Sequence, residues 1–110
     1  MPDQAPPAKL YVVVDAALPP GQQLAQSVHA AFQLSVRYPE AIARWHEDSN
    51  FLVVLSAPFP SDLPVGHGRI VVVEPDLPGC PVTAVAYVPH PDVTRALANL
   101  PLALKQVAMV

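Results

Sequence analysis

The feature that most constrains this chain is a strand-to-helix passage near its start. Leu10 to Val14 is an unbroken apolar run. A run without polar alternation means burial on both faces, as in a central strand covered by helices on either side. Asp15 ends it, Pro19-Pro20-Gly21 punctuates the exit, and a helix is expected from about Gly21 to Arg37. Proline suits a first helical turn, where its missing N–H needs no partner. On a 3.6-residue period Leu24, Val28, Ala31, Phe32 and Ser35 share one face, which should pack on the sheet. Gln22, Gln26, His29, Gln33 and, at the margin, Arg37 share the opposite face, the best candidate for a working surface.

The rest of the chain repeats the pattern in shorter pieces. Pro39 turns Tyr38 away from helical geometry, so a break and a second helix, Glu40 to about Glu47, are expected there. Phe51–Leu55, Ile70–Val73 and Val82–Val88 read as strands, Ala57–Gly68 as a proline-rich loop, and Asp92–Leu100 as a last helix. Residues 1–8 form a Pro-rich lead expected to be disordered, and 9–110 a single domain. The apolar tail from Leu102 to Val110 is expected to continue as a helix or to pack against a neighbour. The order β-α-α-β-β-β-α predicts an α/β fold, a three-layer α/β/α domain with a mixed four-stranded sheet. If the first and third strands run the same way, the start of the first helix and the turn Glu74–Cys80 meet beyond their carboxyl ends, the usual ligand position of such sheets.

Composition excludes several classes. Six Lys/Arg against nine Asp/Glu give a net charge of −3, a poor basis for general affinity to nucleic acid, which rests on cations facing phosphates. A single cysteine, Cys80, allows no internal disulfide and fits a reducing compartment. No apolar run approaches the ~20 residues of a membrane span, and the N-terminus has neither a basic segment nor an apolar signal core. A cytoplasmic protein with no membrane contact is expected. Hydrophobic residues make up 52% of the chain and charged ones 14%, so part of the surface is expected to be covered, by a second copy in a homodimer.

The register of the first helix carries a resemblance. Gly21-Gln22-Gln23-Leu24-Ala25-Gln26-Ser27-Val28-His29-Ala30-Ala31 resembles the Gly-Lys-x-x-Ala-Gln-x-x-His-Ala-Ala segment of the type-2 peptidyl-tRNA hydrolase family. The preceding strand fits, and Pro39-Glu40 with the later Trp45 is similar to that family's second helix. The likeness runs from about Lys9 to Leu55. Beyond it the chain departs from the pattern. Gln22 stands where the family has lysine, exchanging a cation for a neutral amide. The segment Ala57–Gly68 is too short for the helix the family places there. Asp76-Leu77-Pro78-Gly79-Cys80 only partly follows the family's Asp-Ala-Gly-x-Thr. The chain thus resembles a shortened, divergent relative.

The resemblance implies hydrolysis of the ester between a peptide, or another acyl group, and tRNA. His29 would handle the proton, Asp76 would support it or a water, and Gly21, Gln22 and Gln26 would contact substrate. Neutral imidazole suits that task near neutral pH, and first-turn amides near Gly21 would favour a developing oxyanion. Read without the resemblance, His29 is a surface histidine, the glutamines a wet face, and Asp76 a turn residue between prolines. The other reading is a catalytically inactive binding or self-association module on the same scaffold. No metal or organic cofactor is expected: His46, His67 and His90 are widely spaced and read as surface or cap residues. Cys80 has no neighbour in sequence that would activate it.

Overall fold

The structure, a computed structural model, describes residues 7–104. Strands β1 (Lys9–Asp15), β2 (Phe51–Ala57), β3 (Ile70–Val73) and β4 (Val82–Tyr87) form one sheet in the order β2-β1-β4-β3. β1 pairs with β2 in parallel and with β4 in antiparallel register, and β3 is antiparallel to β4. β1 and β3 therefore run the same way, and the mixed four-stranded sheet is the one expected.

Helices α1 (Pro20–Arg37), α2 (Pro39–Asp48) and α3 (Pro91–Ala96) complete the domain, with a 3-10 turn at Pro60–Asp62 inside the proline-rich loop. Proline occupies the first turn of each of these three α-helices, where its fixed φ and absent N–H cost nothing. The last helix is shorter than expected, because Leu97 leaves helical geometry and its N–H bonds back to Val93 and Arg95.

Two cores lie back to back across the sheet. Leu10, Val12 and Val14 of β1, Ile70 and Val72 of β3 and Ala84 and Ala86 of β4 pack against Ala30 and Leu34 of α1, with Ile42 and Trp45 of α2 at the edge. Tyr11, Val13, Leu55, Val85 and Tyr87 pack on the other face against Val93 and Leu97. This is why the apolar run of β1 does not alternate: its interior is covered from both sides.

The contact face of α1 is not the expected one. Its buried residues are Gln23, Gln26, Ser27, Ala30 and Leu34, while Leu24 (57% exposed), Val28 (45%) and Phe32 (68%) face outward. Ala84 and Ala86 give a shallow floor beneath Ala30, while the side-chain amide of Gln26 finds partners beyond β3 and in β4, and that of Gln23 in the turn before the helix. A glutamine buried with partners costs little, and those partners are invisible to helical periodicity.

The chain end also covers an edge. Ser56 N–H donates to Pro101 O (2.9 Å), Ala103 N–H donates to Val54 O (2.9 Å), and Leu102 bridges Leu55, so 101–103 shields the outer side of β2 from strand pairing. The rest of the expected apolar tail (105–110), and most of the expected disordered lead (1–6), lie outside the described residues. Among the described residues, no helix is long and apolar enough to cross a membrane.

Candidate functional site at the start of the first helix

The carboxyl ends of β1 and β3 and the start of β4 share one end of the sheet, and α1 begins there. The turn Asp15–Leu18 is held by a glutamine: Gln23 Nε2 donates to Leu18 O (2.7 Å) and Ala16 O (3.3 Å). One turn on, Gln26 links three elements. Its Oε1 accepts from the Thr83 hydroxyl of β4 (2.7 Å), and its Nε2 donates to Glu74 Oε2 just past β3 (3.1 Å). Glu74 Oε1 in turn accepts the Asp76 backbone N–H (3.0 Å). Ser27 Oγ donates to Gln23 O at 2.7 Å. Gln23 Oε1 is buried without a partner, an unused acceptor in this network.

The residues expected to form the site are divided by this arrangement. Gln26 is not on the exposed stripe: it is buried, its amide engaged at both ends, because Thr83 and Glu74 supply the partners that let it leave water. Its geometry suits positioning of the 74–81 turn, rather than the direct substrate contact expected of it. Gln22 and His29 are exposed on α1. Gly21 is exposed too, with open space where a side chain would stand, and no side chain caps the helix. Its first-turn amides are thus left to water or a ligand. Asp76 is exposed, and no hydrogen bond joins it to His29 among the described residues. The carboxylate tied to α1 is Glu74.

Glu74, Thr83 and Gln23 escaped the sequence reading. Gln23 had a signal: positions 23, 26, 27, 30 and 34 share one helical face, but a face led by glutamine does not read as core. Cys80 is exposed in left-handed geometry (φ 46°) in the adjoining turn. A concavity of about 550 Å³ lies at the opposite end of the sheet, between Ala8, Arg44, Trp45 and Val88, away from the start of α1. There, too, His67 and His90 meet despite their separation in sequence, their rings stacked with centroids 4.0 Å apart.

No known family model matches the chain, and no curated protein matches it significantly in sequence.

Proposed function

We propose that the chain is a divergent relative of the type-2 peptidyl-tRNA hydrolases, acting at the end of the sheet where α1 begins. One observation carries this reading: the Gln26–Glu74 hydrogen bond, which spans 48 positions of sequence and joins the α1 motif to the turn after β3. The hydrolase reading requires those two segments to meet. In it, His29 accepts a proton from the attacking water, and the uncapped amides of Gly21 and Gln22 offer positive potential to the developing oxyanion. Gln26 and Thr83 hold the turn that carries Glu74 and Asp76. The deciding assay is peptide release from peptidyl-tRNA by the wild type, His29→Ala and Gln22→Lys at low salt. Turnover lost in His29→Ala, and raised in Gln22→Lys by the returned cation, is the expected result. A wild type inert at high enzyme concentration refutes the activity for this substrate.

The apolar strip Leu24, Val28 and Phe32 favours a second reading, self-association. Single exposed apolar residues are ordinary, but a row of them at helical spacing marks a contact surface. Phe32 lies three positions beyond His29, so a copy docked on the strip would crowd the histidine. In this reading Phe32→Glu shifts sedimentation from dimer to monomer. A monomeric wild type at high concentration removes it.

A further inference from the structure

We propose that His67, His90 and Asp92 form a binding site for a divalent transition-metal ion of the zinc class. The site lies at the end of the sheet opposite the start of α1, between the loop that enters β3 and the segment that leaves β4. One ligand atom from each residue lies within 4.8 Å of the other two. Asp92 Oδ2 stands 3.5 Å from His67 Nε2 and 3.7 Å from His90 Nδ1. Ligands on a tetrahedral ion with bonds of about 2.0–2.1 Å are themselves separated by about 3.3–3.4 Å. The two distances to Asp92 are close to that value, and the stacked imidazoles reach a common ion by rotating apart, which the exposure of all three side chains allows.

The backbone sets where the ligands stand. His67 adopts left-handed backbone geometry (φ 50°) between Gly66 and Gly68. At Gly68 (φ 66°) a Cβ would stand 2.5 Å from Val88 Cγ2, so the loop is pressed against the chain leaving β4. His90 sits between Pro89 and Pro91, and its Nδ1 accepts the Asp92 N–H (3.0 Å). Arg95 holds Asp92 Oδ1, which leaves Oδ2 directed at the two imidazoles. His90 Nδ1 gives its lone pair to the Asp92 N–H, so binding an ion through that atom requires the ring to turn away from the amide.

Two imidazoles and one carboxylate select zinc, cobalt, nickel or copper over calcium and magnesium, which prefer all-oxygen shells. Three protein ligands leave at least one coordination position for water or a small anion. A cavity of about 150 Å³, largely apolar and lined by Pro64, Tyr87, Val93 and Leu97, shares His67 and Asp92 with the cluster and gives such a ligand a place beside the ion.

The test is a zinc chloride titration of the untagged full chain, followed by calorimetry and by the ring-nitrogen resonances of the histidines. The expected result is one ion per chain, with the His67 and His90 resonances shifting and those of His29 and His46 unmoved. His67→Asn, which keeps a residue tolerant of left-handed geometry, and His90→Ala should each weaken binding by at least the ~10–100-fold that losing even a residue hydrogen-bonded to a ligand costs. His46→Ala should match the wild type. The proposal is overturned by a wild type that shows neither heat nor ring shifts at sub-millimolar zinc. It is equally overturned if the ion shifts other histidines instead, or if affinity is unchanged in the double variant His67→Asn/His90→Ala. The ring shifts of the wild type decide the matter even if a variant fails to fold.

Discussion

The two ends of the sheet hold their polar residues in opposite ways. At the start of α1, glutamine, threonine and glutamate are drawn inward and joined across α1, β3 and β4, and the exposed histidine beside them stands apart. At the other end His67, His90 and Asp92 stay at the surface, brought together by backbone geometry at Gly68 and by prolines around His90. The first arrangement uses up hydrogen-bonding capacity to fix a turn. The second leaves a His67 ring nitrogen and a carboxylate oxygen free of the core, and engages His90 Nδ1 only with the neighbouring Asp92 N–H. A polar cluster that braces the fold and one that is available to a ligand are thus told apart by where the lone pairs go.

The largest effect is expected from breaking the second end through its backbone. Gly68→Ala forces a Cβ into the Val88 side chain at 2.5 Å and holds alanine at φ 66°. Left-handed geometry costs about 1–2 kcal/mol for such a residue and overpacking about 1–3 kcal/mol, so chemical denaturation should show a loss of about 2–5 kcal/mol. Zinc binding should fall with it, since the loop that carries His67 must move. A stability equal to that of the wild type would mean that the loop is not pressed against β4, and that the histidines are not held together.

Breaking the first end should cost less. Gln26→Leu strands the Thr83 hydroxyl, whose remaining acceptor, Val72 O, is 3.4 Å away. A buried group left unsatisfied costs about 1–3 kcal/mol. Adding Thr83→Val removes the stranded hydroxyl and should recover part of that loss. A coupling energy below about 0.5 kcal/mol in this double-mutant cycle would show that the two side chains act independently, and the bracing account of this end would fall.

The difference between the ends also explains what the sequence disclosed. β1 was legible because burial on both faces leaves an unbroken apolar run, and α1 and α2 because Pro20 and Pro39 mark their first turns. Element order pointed to a mixed four-stranded sheet but left the order of its strands open, since β1 pairs with β4 across the whole length of the domain. The face of α1 was not legible. Periodicity ranks faces by hydrophobicity, whereas Gln23 and Gln26 are buried by partners as distant as Thr83, 57 positions from Gln26. Leu24, Val28 and Phe32 then fall outward, although they make the more apolar stripe. The His67–His90–Asp92 group was hidden for a related reason. Its members flank the β3–β4 hairpin, so their meeting depends on antiparallel pairing rather than on any spacing along one element. Gly66-His67-Gly68 and Pro89-His90-Pro91 were the available signals, and each alone describes only a turn.

The smallest effect separates the ends by pH. Tyr87 is buried and donates its hydroxyl to Pro64 O (2.7 Å), tying the loop before β3 to β4 near the histidine cluster. Burial raises its pKa above the ordinary 10.0, against the opposing charge and hydrogen bond of Arg69. Below pH 10 the phenol keeps its proton in both the folded and the unfolded chain, and the tie contributes fully. Above it the unfolded chain releases that proton first. It then binds fewer protons than the folded chain, so stability falls as pH rises towards the folded value. Tyr87→Phe loses a hydrogen bond worth about 0.5–1.5 kcal/mol at neutral pH, and should show a correspondingly shallower alkaline decline. The Gln26–Thr83 link contains no ionisable group, so the decline of Gln26→Leu above pH 10 should run parallel to that of the wild type. Parallel slopes for wild type and Tyr87→Phe would show instead that the alkaline loss arises elsewhere in the molecule, and that Tyr87 does not tie the loop at the histidine end.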